Sequence, residues 1–149
     1  MPHSIEGEKM EIDKELIQRR LGELLSFVNE LRGMGNIERE TFKKNIERQY
    51  SVMHLLQLSI EATLSIANHI IARKHLGIPN SYQDSFELLE RAKILSPEFT
   101  IEMKKMARFR NRLVHLYWQI DLDQIYDIYT GKLGDFEEYA RLIRGSLQV

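Results

Sequence analysis

The chain has 149 residues, 43% of them apolar and 29% charged, with a net charge of −1. That length suits one domain around one core, and the near-zero charge excludes a general attraction to polyanions, so nucleic acid could be held only by a local patch. The absence of cysteine excludes disulfides and thiolate metal sites, and the five histidines include no pair at the three- or four-residue spacing of a zinc helix, so neither a structural nor a catalytic metal is expected.

Residues 1–10, "MPHSIEGEKM", carry little periodicity and read as a frayed end or a cloning remnant ahead of a helical domain over 11–149. They lack the basic start and apolar middle of a secretory signal. No stretch approaches the roughly 18 consecutive apolar residues of a membrane span, so a cytoplasmic protein without membrane contact is expected. From about Ile12 the pattern becomes helical, with a seam of Ile17, Leu21, Leu24, Val28 and Leu31 that ends at Gly33 and Gly35. Asn36 can cap the next helix, predicted from about Ile37 to Leu76 with Gly77 and Pro79 as its stop.

That second helix carries one seam of Ile46, Tyr50, Met53, Gln57, Ile60, Leu64, Ala67 and Ile71. A second apolar side runs through Val52, Leu55, Leu56, Ser59, Ile66 and Ile70. A helix apolar on more than one side is buried against several neighbours, which makes it the central rod of a bundle. A further stripe, His54, Leu58, Glu61, Ser65, Asn68, Ala72 and His75, is polar for such a rod and faces either solvent, a site or a second subunit.

"GIPNSYQDSF" reads as a loop, and a short helix follows over roughly Gln83 to Ile94. In "SPEF", Ser96 caps the next helix, Pro97 takes its first position and Glu98 suits the positive end of its dipole. Asp121 or Asp123 opens a last helical region containing Ile125, Ile128, Leu133, Phe136, Tyr139, Leu142 and Ile143, interrupted near Gly131 and Gly134. No strand alternation appears, so the expected fold class is all-α, a bundle of about five helices.

The helix opened by Ser96 carries "RFRNRLVHLYW", residues 108–118, where the polar and aromatic chemistry of the chain is concentrated. At about 100° per residue, Met103, Met106, Phe109, Leu113, Val114, Leu116 and Tyr117 fall on one arc, and Arg110 lies inside it. A guanidinium placed among apolar side chains requires an acidic partner, a carbonyl array, a second subunit or an anionic ligand. Asn111 and His115 are one turn apart and can touch, on the side that also carries Lys104 and Arg108. Lys104, Lys105, Arg108, Arg110 and Arg112, with no acid among residues 104–112, form a local basic patch, although a solvated helix face accounts for the charge equally well. Arg110 and His115 are about 140° apart, so the arginine's length bridges the gap, the helix ends near His115, or a second chain supplies the other half; the last is the most attractive, because a two-fold axis near this helix would pair one subunit's histidine with another's arginine.

"RNRLVHLY" carries the R-x4-H motif in its longer R-N-x3-H-x-Y form, and on these residues the chain resembles the HEPN superfamily, specifically the HepT-like toxins of HEPN–MNT pairs. "SIANHIIARKHLGIPNSYQDSFELL", "MARFRNRLVHLYW", "DQIYDIY" and "LGDFEEYARLI" extend the resemblance over most of the chain. The resemblance implies a metal-independent endoribonuclease, the toxin of a type VII-like toxin–antitoxin module, active on RNA as a homodimer whose two motifs meet in a cleft. It implies that His115 is the acid/base, that Arg110 stabilises charge on phosphorus, and that Asn111 holds the histidine or a phosphate oxygen. It further implies that an MNT-type nucleotidyltransferase antitoxin inhibits the enzyme by adding AMP to Tyr117. Lys104, Arg108 and Arg112 are then candidate RNA contacts, and Glu61 and Asn68 candidate supports of the site. The alternative is a non-catalytic helical interaction module that docks a nucleotidyltransferase.

Overall fold

A computed structural model describes residues 11–149; the expectation for residues 1–10 lies outside the described residues. Among the described residues there are seven α-helices and no strand: α1 (Lys14–Gly33), α2 (Arg39–Lys44), α3 (Ile46–Arg73), α4 (Tyr82–Arg91), α5 (Pro97–His115), α6 (Leu122–Gly131) and α7 (Leu133–Leu147), with a 3₁₀ turn at Tyr117–Gln119 between α5 and α6. The class is all-α, as expected. The count exceeds five because the predicted second helix and the predicted last region are each divided.

The first division falls at Asn45, whose backbone is extended (φ −109°, ψ 93°) and whose side chain accepts from the Arg48 amide, so it caps α3 rather than continuing α2. The Phe42 carbonyl freed by the break is satisfied by Gln49 Nε2 at 2.9 Å, and Phe42 itself is buried beside Tyr126 and Tyr129. The second falls at Lys132, between Gly131 and Gly134, where the interruption was expected.

α3 touches each of the other six helices, which is the central rod that its two apolar sides require. It is the one described helix long and apolar enough by composition to cross a membrane, and its apolar residues are spent on the core of the bundle. The seam of α1 is buried along its full predicted length, mainly against α3. For α3 the expectation needs correcting at its start: Ile46 and Tyr50 are exposed, and the face turned inward is that of Val52, Leu56, Ser59 and Ile60.

Phenol hydroxyls tie the last helices to the rest: Tyr126 donates to the Ile37 carbonyl, Tyr129 to that of Gly35, and the fully buried Tyr139 to that of Thr63 at 2.8 Å. Gly35 (φ +75°) makes the turn out of α1 in a left-handed conformation that a side chain would strain. At the end of α3 the left-handed residue is His75 (φ 55°), not the expected glycine, and Gly77 follows at φ +134°. A Cβ on Gly77 would stand 3.2 Å from Leu88 Cδ2, so both conformation and space reserve that position for glycine.

Candidate functional site

α5 begins as its sequence dictates. Ser96 Oγ accepts from the Phe99 amide at 3.1 Å, Pro97 occupies the first turn, and Thr100, Met103, Met106, Ala107, Phe109 and Leu113 are buried. Arg110 follows on this side, its side chain 15% exposed, and the acidic partner it requires is Glu61 on α3. Nε and Nη2 both donate to Glu61 Oε2, at 3.1 and 2.9 Å, and Gln57 Nε2 steadies the same oxygen at 3.2 Å. The guanidinium carbon lies 4.8 Å from the centre of the Tyr82 ring at the start of α4. Acid and ring together hold the cation on two sides.

Nη1 of Arg110 donates to Asn111 Oδ1 at 3.4 Å. The expected pairing of Asn111 with His115 is therefore replaced: among the described residues the carboxamide bonds the arginine, and no hydrogen bond joins it to the imidazole. Asn68 stands apart from the Glu61 pair, its Oδ1 accepting from buried Ser85 Oγ at 2.8 Å. Asn68, Tyr82, Ser85 and Asn111 line a cleft of about 520 Å³ between α3, the loop after it and α4.

The helix ends at His115, the second of the three arrangements that the 140° separation allowed. Leu116 leaves helical geometry (φ −134°, ψ 37°), and Tyr117–Gln119 form the 3₁₀ turn. Leu116, Tyr117 and Trp118 are exposed, the last two at 60% and 65%, with their rings edge to face at 5.4 Å. Placing Leu116 and Tyr117 on the core arc was thus wrong, since the arc assumed a helix that continues to Trp118. The alignment of Tyr117 with Arg110 along one helical face fails for the same reason. His115 is exposed at the C-terminal end of α5.

The basic patch is smaller than its sequence suggests. Lys104 Nζ is 2.6 Å from Glu87, and its hydrogen bond holds that carboxyl below the usual carboxylate range. Lys105 is paired with Glu102. Arg108 is exposed, and Arg112 lies 5.8 Å from the Phe109 ring centre; among the described residues neither is within ion-pair distance of a carboxylate. Tyr82, Ser85 and Gln57 were not foreseen as parts of the site. Only the helical period linking Gln57 to Glu61 offered a local signal.

The structure is thus a helical bundle that presents R-N-x3-H-x-Y across the end of one helix, with the arginine anchored to the central rod. The model of the family "Ribonuclease HepT-like" matches residues 15–143, and the chain belongs to that family. It is similar to the mRNA nuclease HepT of Shewanella oneidensis, 38% identical over 103 residues that cover 69% of this chain and 77% of that protein. It is also similar to the tRNA nuclease HepT of Aphanizomenon flos-aquae, 29% identical over 136 residues, 91% of this chain and 92% of that one. Among solved structures, the tri-AMPylated HEPN toxin of Shewanella oneidensis in complex with its MNT antitoxin superposes with a TM-score of 0.80 at 31% identity, covering 87% of this chain and 96% of that one.

Proposed function

We propose that the chain is the endoribonuclease toxin of a type VII-like HEPN–MNT toxin–antitoxin module, and that it works as a homodimer in the cytoplasm. The observation that carries this is the anchored Arg110, held by Glu61 and Tyr82 beside Asn111, with His115 and Tyr117 exposed on the turns that follow. A two-fold axis near the end of α5 would bring the motifs of two subunits together.

In such a site an RNA 2′-hydroxyl attacks the adjacent phosphorus. The O2′–P bond forms, the P–O5′ bond breaks, and a 2′,3′-cyclic phosphate and a 5′-hydroxyl result. One His115 takes the proton from O2′, and the second subunit's His115 supplies one to O5′. Arg110 offsets the charge that builds on the phosphoryl oxygens, and Asn111 adds a neutral contact beside it. The nucleophile belongs to the substrate, so no cofactor has to generate it. Arg108 and Arg112 are the remaining cations for the RNA backbone, and Lys104, tied to Glu87, contributes less.

Tyr117 is accessible to a modifying enzyme. A nucleotidyltransferase antitoxin would join Tyr117 Oη to the α-phosphorus of ATP with release of pyrophosphate, placing negative charge two residues from His115 and repelling RNA. The alternative, a non-catalytic module that docks the nucleotidyltransferase, is favoured by one feature: among the described residues of one chain the His115 ring hydrogen-bonds nothing. The deciding experiment is incubation of the purified dimer with RNA in EDTA. Cleavage leaving cyclic phosphate ends, lost in His115→Ala and Arg110→Ala proteins with unchanged circular dichroism, supports the nuclease. Intact RNA beside retained antitoxin binding supports the docking module.

A further inference from the structure

The cleft beside Arg110 is chemically unlike the phosphate-binding surface it adjoins. It is formed by the last turns of α3, the loop 77–81 and the start of α4, and its volume of about 520 Å³ falls within the roughly 300–1,000 Å³ usual for small-molecule sites. No lysine, arginine, aspartate or glutamate lines it; its polar groups are the carboxamides of Asn68, Asn80 and Asn111 and the hydroxyls of Ser81, Ser85 and Tyr82. Such a lining does not suit a phosphate or a carboxylate. It suits a flat, uncharged group with donors and acceptors along its edge and apolar faces.

We propose that the cleft is a nucleobase subsite, taking the base of a nucleotide whose phosphate rests on Arg110. This rests on the nuclease function above. Asn111 belongs to both places: its Oδ1 accepts from Arg110, and its side chain forms part of the cleft wall, so the cleft begins where the phosphate contact ends. Asn68 is fixed for reading an edge, because buried Ser85 donates to its Oδ1 at 2.8 Å and leaves the amide hydrogens of Nδ2 for a ligand. Ile71 and Ala72 provide the apolar floor, and Ile78 stands at the mouth 88% exposed. A large aliphatic side chain kept in water at a cleft's rim gains by closing over a base. The loop that carries it is set by Gly77, whose φ of +134° and approach to Leu88 leave no room for a side chain.

Two measurements test the assignment. In the first, AMP, GMP, CMP and UMP are titrated separately into the ¹⁵N-labelled protein. At least one should shift the amides of residues 77–82 saturably, and Asn68→Ala should weaken that nucleotide at least fivefold, whereas the control Glu30→Ala, on the exposed side of α1 and outside the cleft, leaves its affinity unchanged. In the second, cleavage sites are mapped on RNA of random sequence, where Asn68→Ala or Ile78→Ser should flatten the base preference next to the cut. No saturable shift at millimolar nucleotide, or cut-site preferences identical to wild type in both variants, overturns the subsite. If Ile78→Asp splits a dimer while nucleotides leave residues 77–82 unshifted, the mouth is a subunit contact and the assignment is overturned. Should the wild type leave RNA intact, the nuclease function fails, and the nucleotide titration still decides the cleft by itself.

Discussion

Replacement of Glu61 by glutamine removes the charge opposite Arg110 while keeping the shape of the side chain. The pair is partly enclosed, with side chains 15% exposed on Arg110 and 34% on Glu61 and a shortest contact of 2.9 Å. Unit charges about 4 Å apart interact by about 1 kcal/mol in water and about 4 kcal/mol at an effective dielectric constant of about 20. A pair exposed to this degree lies between those limits, giving a coupling of about 2 kcal/mol. The single variants should be unequal, because the more enclosed group suffers most when left alone. Glu61→Gln strands the arginine and should cost about 2–3 kcal/mol; Arg110→Met keeps the apolar stem, leaves a carboxylate able to reach water, and should cost about 1–2 kcal/mol. The double variant should then fall about 2 kcal/mol short of the sum. Urea unfolding followed by far-ultraviolet circular dichroism on all four proteins measures each leg. Additivity within about 0.5 kcal/mol, or a larger cost for Arg110→Met than for Glu61→Gln, would show that the contact does not anchor the arginine.

Three further outcomes are expected elsewhere in the fold. His69 Nε2 accepts from the Asp13 amide at 3.1 Å, and burial, then the nearby Arg73, hold its pKa below the ordinary imidazole value. The folded chain therefore binds that proton less readily than the unfolded one: the stability is full above about pH 6.5 and is lost as pH falls from there toward the folded value. The melting temperature of His69→Gln should accordingly fall less than that of the wild type on acidification from pH 7.5 to 5.5. Tyr139→Phe leaves the Thr63 carbonyl without its buried donor and should cost about 1–2 kcal/mol in urea unfolding, with no change in the far-ultraviolet spectrum. Lys93 is exposed and sits at φ 64° between α4 and α5, so Lys93→Gly should stabilise by about 0.5–1 kcal/mol, read as a rise in melting temperature.

What could be seen in the sequence was local. The seam from Ile17 to Leu31, the Ser96-Pro97-Glu98 start of α5 and the two-sided apolarity of α3 each depend on residues within a few turns, and the structure keeps all of them. The break at Asn45 was written in an N-cap residue lodged inside a continuous apolar pattern, and periodicity carried the expected helix straight through it. The end of α5 has no local mark, since no glycine or proline follows His115 before Asp121. The chain turns there because Ile120 packs on the core and Asp121 caps α6. Arg110 shows the difference plainly. Its place on an apolar arc announced the need for a counter-charge, but Glu61 lies 49 positions away and only a polar stripe on α3 pointed to it. Tyr82 gave no such sign, because a ring at the first position of a capped helix looks the same whether or not a cation rests on it.

Arg110 is fastened to α3 and α4 before any ligand arrives, whereas His115 and Tyr117 lie at and beyond the last helical turn in contact with water. A preorganised cation is what stabilising charge on phosphorus requires, since orienting it at the moment of reaction would add to the barrier. An exposed phenol is what a modifying enzyme requires, since a buried one would have to unfold the turn to be reached. Under the proposed function, Tyr117 follows His115 by only two residues, so access for a modifier and access for RNA would open through the same stretch of surface. Charge added on the tyrosine would therefore act on the substrate path without any change of fold, and removal of the 3₁₀ turn from solvent by a bound partner would block modification and cleavage together.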